Sequence, residues 1–277
     1  MKQTMAQSDI HNPDPGSNST VLKIGGLTKF FGGLRAVHDF DVEIKQGELV
    51  GLIGPNGAGK TTIFNMITSI YPVSAGSIVF KGQDITYLPA HEVTHLGIGR
   101  TFQKIRIFPN LTVLDNVRVA YHPHARYNMF DGILRSRRFS RGEQEMTEKA
   151  QEFLAVFGME DLQDTLASNL PYGAQRRLEI ARALATEPDL LLLDEPAAGM
   201  NPREVVELME LIHFIRDHFN LTVFLIEHQM RVVMGICEWI TVIDFGEIIA
   251  RGTPKEIQNN PQVIEAYLGS QAIRMVA

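Results

Sequence analysis

Gly54-Pro55-Asn56-Gly57-Ala58-Gly59-Lys60-Thr61 decides how this chain folds. It fits G-x-x-x-x-G-K-[ST] without a mismatch. Its glycines let the backbone turn tightly and aim successive N–H groups at one anion. The apolar run Leu49 to Ile53 precedes it and reads as a buried strand. Ile63, Phe64, Met66, Ile67 and Ile70 follow at helical spacing, which predicts a helix from near Lys60. A strand, a glycine loop and a helix N-terminus together make a phosphate cradle. There Lys60 reaches β- and γ-phosphates and the Thr61 hydroxyl suits Mg²⁺. Pro55, Asn56, Ala58 and Thr62 are expected to line the same phosphates with Gly54, Gly57 and Gly59.

Leu190 to Leu193 is a second decisive run. Four leucines without alternation suit a central parallel strand covered on both faces. The run ends in Asp194-Glu195. In doubly wound sheets ligands sit beyond the carboxyl ends of strands, so this acidic pair and the glycine loop can face one site. Asp194 is expected to hold Mg²⁺ through water, and Glu195 to activate the attacking water. Val21 to Ile24 and Phe40 to Ile44 alternate as paired, half-buried strands do. Gly76 to Phe80 reads as another strand, followed by turn residues Lys81 to Asp84. Residues 90–165 are mostly helical in pattern, with Ala150, Phe153, Leu154 and Phe157 on one face. Val205 to Phe219 reads as a helix and Leu221 to Ile226 as a strand. A last α/β segment runs through Ile240 to Ile243 and Ile248 to Ala250.

With 277 residues, 44% hydrophobic and 21% charged, the chain can bury a sizeable core. Its formal charge of −6 makes it a poor general binder of the nucleic-acid backbone. The single cysteine, Cys237, excludes an intramolecular disulfide framework or a multi-cysteine metal site and fits a reducing cytoplasm. Thr61 to Phe80 is uncharged and long enough for a membrane span, but Pro72, Gly76 and its many hydroxyls argue against one. Residues 1–20 lack the apolar run of a secretory signal and read as a flexible tail, as do 271–277. Any membrane contact is therefore expected to run through partners.

The order of these motifs resembles the ATP-binding cassette family over residues 21–270. The resemblance implies an α/β fold: a P-loop NTPase (RecA-like) core with an antiparallel β subdomain and an α-helical subdomain inserted at about 90–185 of one domain. Leu170-Pro171-Tyr172-Gly173-Ala174-Gln175-Arg176-Arg177, before the helical stretch Leu178 to Ala185, is similar to the family's signature. By that resemblance Tyr172, Gly173, Ala174 and Gln175 bind the γ-phosphate of ATP held on a second subunit. Gln103 resembles the glutamine that contacts Mg²⁺ and the attacking water. His228 resembles the switch histidine on the γ-phosphate, and Phe31, with Phe30 as its rival, the aromatic that stacks on adenine. Ala198-Gly199-Met200-Asn201-Pro202 resembles the loop that crosses the dimer interface, although the family commonly has Asp where Asn201 stands. Serine is usual where Pro171 stands. Proline offers no hydroxyl and no N–H; either it only starts the helix, or the composite ATP site that uses this signature is weakened.

Gly97 to Gln103, Leu111 to Val117, the segment 121–145 and Val263 to Gly269 are similar to the ATPase subunits of branched-chain (hydrophobic) amino-acid importers, in particular the longer of their two ATPases. That implies a peripheral chain on the cytoplasmic face of the inner membrane. Its partners would be a second cassette subunit, hetero- or homodimeric, integral permease chains and, indirectly, an extracytoplasmic substrate-binding protein, with no nucleic acid. ATP-driven dimer closure would pass through Gln103 and Ile105 to Asn110 to the permease. An ATPase for lipopolysaccharide export shares the general pattern, but the long segment 121–145 argues against it. A soluble cassette acting on nucleic acid would carry two cassettes or a coiled-coil insertion. Intact Lys60, Thr61, Asp194, Glu195 and His228 argue against a catalytically silent subunit. Arginines 126, 135, 137, 138 and 141 against Asp131 give the loop 126–141 a charge of +4. It is either a solvated loop or one near anionic headgroups or acidic permease loops.

Overall fold

The computed structural model describes residues 19–125 and 127–267. Apolar–polar alternation near the N-terminus builds the antiparallel pair β1 (Thr20–Phe31) and β2 (Leu34–Lys45). Thr20, expected in the tail, already pairs with Lys45. The rest of the expected tails, 1–18 and 271–277, lies outside the described residues. The apolar run forms β3 (Leu49–Ile53), buried throughout, and the glycine loop opens α1 (Lys60–Ile67). This helix is shorter than its spacing suggests. Thr68 donates back to the Phe64 carbonyl at 2.8 Å and Ser69 turns left-handed, so Ile70 falls outside it and is exposed. β4 (Ala75–Phe80) and β5 (Gln83–Asp84) join through Lys81-Gly82, both at positive φ, as a tight hairpin turn requires. The four strands form one antiparallel sheet in the order β2-β1-β4-β5.

α2 (Ala90–His95) leads to β6 (Ile98–Arg100). Then come α3 (Val113–Tyr121), α4 (Met129–Ile133), α5 (Arg137–Val156) and α6 (Tyr172–Leu184). β7 (Leu190–Asp194), α7 (Pro202–Phe219), β8 (Thr222–Ile226) and α8 (Met230–Ile236) follow. The hairpin β9 (Trp239–Asp244) and β10 (Glu247–Gly252), then α9 (Pro254–Gln258), complete these elements. The second sheet has the order β10-β9-β3-β8-β7-β6, parallel except for β10.

Period-2 geometry explains how the leucine strand is covered. Leu190 and Leu192 join Val50, Leu52, Phe224 and α1 in a core shared with the antiparallel sheet. Leu191 and Leu193 join the opposite core, against residues of α3, α5, α6, α7 and α8. Ala150, Phe153, Leu154 and Phe157 lie in that second core, as their spacing implies.

Three expectations change. β6 lies inside the span 90–185 assigned to the helical insertion, yet it pairs with β7 at the sheet edge, so the helical part begins beyond Arg100. Three residues, one of them glycine, carry too little alternation to read as a strand. The signature does not precede its helix: Tyr172 to Arg177 form the first turns of α6, with Pro171 at the N-cap. The arginine-rich stretch is not a loop, because it contains α4 and the start of α5; Arg126 lies outside the described residues. Among the described residues no helix is long and apolar enough to cross a membrane.

Candidate nucleotide site

The glycine loop is shaped by what surrounds it. A Cβ on Gly54 would collide with the Ile243 carbonyl oxygen, and one on Gly59, at φ 104°, would stand 2.6 Å from the Ala36 carbonyl. Only glycine fits either position. The β9–β10 turn supports the loop from behind, where Gly246 N–H donates to the Ala58 carbonyl at 3.0 Å. Sequence reading missed this support, although Phe245-Gly246 carries a turn glycine. Lys60 is buried and donates to the carbonyls of Gly54 at 2.7 Å and Pro55 at 2.9 Å. Burial pushes the Lys60 ammonium pKa down, and the carboxylates of Glu195 and Asp194 oppose that shift. Thr61 and Thr62 are half-buried on the first turn of α1, while Asn56 and Gly57 are exposed at the loop tip.

Asp194 ends β7 almost fully buried. Its Oδ2 accepts from Arg100 at 3.0 Å, and its Oδ1 is buried without a hydrogen-bond partner. Burial raises the Asp194 pKa and Arg100 counteracts it. Arg100 also donates to Asn65 and Thr68, both at 2.9 Å, and so ties β6 to the end of α1. Glu195 has a left-handed backbone, φ 50°, held by its N–H to the Ile226 carbonyl at 2.9 Å. Its Oε2 accepts from Gln103 Nε2 at 2.9 Å and lies 3.7 Å from His228 Nδ1. Lys60, Gln103, the pair Asp194-Glu195 and His228 thus converge from four separate stretches of chain.

Three groups to which the sequence reading gave no role hold these residues in place. Buried Arg176 on α6 donates to the carbonyls of Phe102 at 2.7 Å and Gln103 at 2.5 Å, and pairs with Glu179 at 2.8 Å. Glu179 in turn accepts the N–H groups of Phe102 at 3.3 Å and Arg106 at 3.0 Å. The backbone beside Gln103 is therefore clamped by the signature helix. Glu227, fully buried, accepts the N–H groups of Ala197 at 2.8 Å, His228 at 3.0 Å and Gln229 at 3.2 Å. It locks the His228 loop to the loop after β7.

The remaining expected site residues lie elsewhere. Gln175 Nε2 donates to the Leu170 carbonyl at 2.9 Å, and the backbone of Gly173 packs against Glu204. The Tyr172 ring packs against Gly199, and Ala174 is buried in the helical core. Asn201 caps α7, its Oδ1 accepting from Arg203 and Glu204 N–H at 3.0 Å, a task asparagine does as well as aspartate. Phe31 and Phe30 are both exposed at the end of β1. The Phe31 ring meets Tyr71 edge-on at 5.2 Å, with the Lys29 ammonium 5.0 Å from its centre.

A glycine-lined anion cradle, a buried lysine and two carboxylates at strand ends make a site for a polyphosphate. Residues 37–198 match the ABC transporter family. The chain belongs to that family. As an ABC cassette it is a nucleotide-binding ATPase. Residues 247–273 of the cassette also match the branched-chain amino acid ATP-binding cassette transporter family. The cassette is 47% identical over 249 residues, 90% of its length and 98% of the relative's, to the high-affinity branched-chain amino acid transport ATP-binding protein LivG of Salmonella typhimurium. The lipopolysaccharide export system ATP-binding protein LptB of Escherichia coli is more distant, 39% identical over 248 residues, 90% of the cassette and 97% of LptB. Among solved structures, the ADP conformation of MJ1267, an ATP-binding cassette of an ABC transporter, superposes with a TM-score of 0.79 at 29% identity, covering 91% of the cassette and 99% of that chain.

Proposed function

We propose that this cassette powers the uptake of branched-chain or related hydrophobic amino acids, hydrolysing ATP as one subunit of a membrane importer. The observation that carries the hydrolytic part is the meeting of Gln103 and His228 on the Glu195 carboxylate. The substrate class rests on LivG, 47% identical across 90% of the chain, and on the match at residues 247–273. LptB, at 39%, supports the export reading less well.

In this reading the N–H groups of Gly54 to Thr62 hold the phosphates and Lys60 leaves the Gly54 and Pro55 carbonyls for the β/γ-phosphates. Phe31 stacks on adenine with its exposed ring. The orphaned, buried Asp194 Oδ1 suits a hydrated divalent cation, and Thr61, Asp194 and Gln103 would hold Mg²⁺. Mg²⁺ supplies charge neutralisation for phosphoryl transfer. Glu195 takes a proton from water oriented by Gln103, and His228 contacts the γ-phosphate. Tyr172, Gly173, Ala174 and Gln175 act on ATP held by a second cassette. The pair is peripheral on the cytoplasmic face of the membrane and drives integral permease chains, which are fed by an extracytoplasmic binding protein. Reconstitution with those chains should give ATP-dependent uptake of leucine, isoleucine or valine. ATPase activity stimulated by a lipopolysaccharide-type lipid, with no amino-acid uptake, would move the cassette to export.

Pro171 sits at the α6 N-cap with no side chain to cap the helix. Serine there would accept an N–H of the first turn, worth about 1 kcal/mol, and offer its hydroxyl across the dimer. A hydrogen bond to a charged group is worth about 1.5–3 kcal/mol. Pro171→Ser is therefore expected to raise both the Tm and the ATPase rate of the assembled dimer. A higher Tm with unchanged or lower turnover would leave only the capping role and refute the weakened site.

A further inference from the structure

The corner between α4 and α5 turns apolar groups outward and is well held while doing so. Phe130, Ile133 and Leu134 are 70%, 70% and 77% exposed. Their i, i+3, i+4 spacing puts them on one face of a helical turn. This is no frayed end. Asn128 and Asp131 form a capping box, and Ser136 Oγ donates to Asp131 Oδ1 at 2.8 Å while capping α5. Tyr127 and Phe139 supply the inward packing, edge to face at 5.1 Å, with Gly132 beside Phe139. The corner has satisfied its own interior and still presents three large apolar side chains.

Its charge adds a direction. Arg135, Arg137 and Arg141 are exposed around the same corner. Arg137 and Arg141, four apart on α5, share a face. Nearby carboxylates are occupied: Asp131 by Ser136 and Asn128, Glu143 by Arg118 at 2.7 Å and by Tyr127. Glu145 follows one turn later. Exposed Phe, Ile and Leu flanked by arginines is the pattern of a segment lying in a membrane interface. Cytoplasmic loops of membrane proteins carry an excess of Lys and Arg, so a basic corner is mismatched to permease loops. The cytoplasmic leaflet is anionic and attracts it.

We propose that the α4–α5 corner is an interfacial anchor for an anionic phospholipid surface. Phe130, Ile133 and Leu134 enter the acyl boundary while Arg135, Arg137 and Arg141 meet the phosphate headgroups. The proposal rests on the cassette working at the cytoplasmic membrane face. Its role is to hold the helical part against the bilayer beside the permease.

The purified full chain, without permease, is tested by flotation with phosphatidylcholine vesicles with and without phosphatidylglycerol. The wild type should float with the phosphatidylglycerol vesicles, in a manner weakened by salt. Arg135→Glu/Arg137→Glu/Arg141→Glu and Phe130→Ser/Ile133→Ser/Leu134→Ser should each reduce binding about tenfold or more. Both variants should keep the basal ATPase rate, since these side chains are exposed and outside the nucleotide site. Absence of wild-type binding overturns the proposal, as does binding that survives both sets of changes. Self-association through the corner assigns it to a protein partner and equally overturns the anchor. Vesicle binding is read without amino-acid transport, so its failure and that of the importer reading remain distinct.

Discussion

Glu195→Gln is expected to leave ATP binding intact while turnover falls by about 10² to 10⁴-fold, the range of general-base contributions. The substitution is close to isosteric. Its amide oxygen can still accept from Gln103 Nε2, as Glu195 Oε2 does at 2.9 Å. The left-handed backbone at Glu195 is fixed by the bond from its N–H to the Ile226 carbonyl, which the side chain does not make. Folding and the shape of the site should therefore survive, and what disappears is a group able to take a proton from water. Lys60 loses one of the two carboxylates that oppose its burial, so phosphate binding should weaken little or even tighten as negative charge leaves the site. Equilibrium binding of a fluorescent ATP analogue, measured beside single-turnover hydrolysis, separates the two effects. Near wild-type hydrolysis would remove Glu195 from the role of base; lost binding would make it a structural residue.

The features legible in the sequence were those written in consecutive residues. The glycine loop, the leucine strand and the acidic pair each need only local spacing to be recognised, and the structure brings them together because β3 and β7 flank β8 in one parallel sheet. Groups whose partners lie far along the chain were not legible. Arg176 was read only as part of the signature and Glu179 was given no role, because their backbone partners are more than 70 positions away. The signal was their setting, since Leu178, Ile180 and Ala181 leave little of that helix for solvent. Glu227 was hidden by His228, the neighbour that drew attention. The α4–α5 corner did carry local signals, Asn128-x-x-Asp131 and Ser136, but a run of arginines masks helical pattern because it has no apolar stripe.

Arg176→Ala is expected to destabilise the cassette by about 3–5 kcal/mol, the usual cost of breaking a buried ion pair. Arg176 is 1% exposed and links three acceptors: the carbonyls of Phe102 and Gln103 and the Glu179 carboxylate. Burial already raises the Glu179 pKa, and Arg176 is among the groups that hold it down. Without the guanidinium the folded-state pKa rises further above the unfolded one. Such a group favours folding below the unfolded pKa and loses that contribution as pH rises through the folded pKa. The stability deficit of the variant should therefore shrink on acidification, as Glu179 takes up a proton. Denaturant melts across pH test this, and a deficit that does not change with pH would show that Glu179 stays compensated. The double change Arg176→Met/Glu179→Leu removes both charges and should recover part of the stability. Its turnover should stay depressed, because the backbone on either side of Gln103 has lost its clamp and the carboxamide its fixed approach to Glu195. A misplacement of about 1 Å can cost about 10²-fold in rate. Turnover that returns together with stability would reduce the pair to a core support. Turnover that stays low in a folded protein would make α6 the element that sets Gln103, and would tie the signature helix to the hydrolytic carboxylate within a single chain.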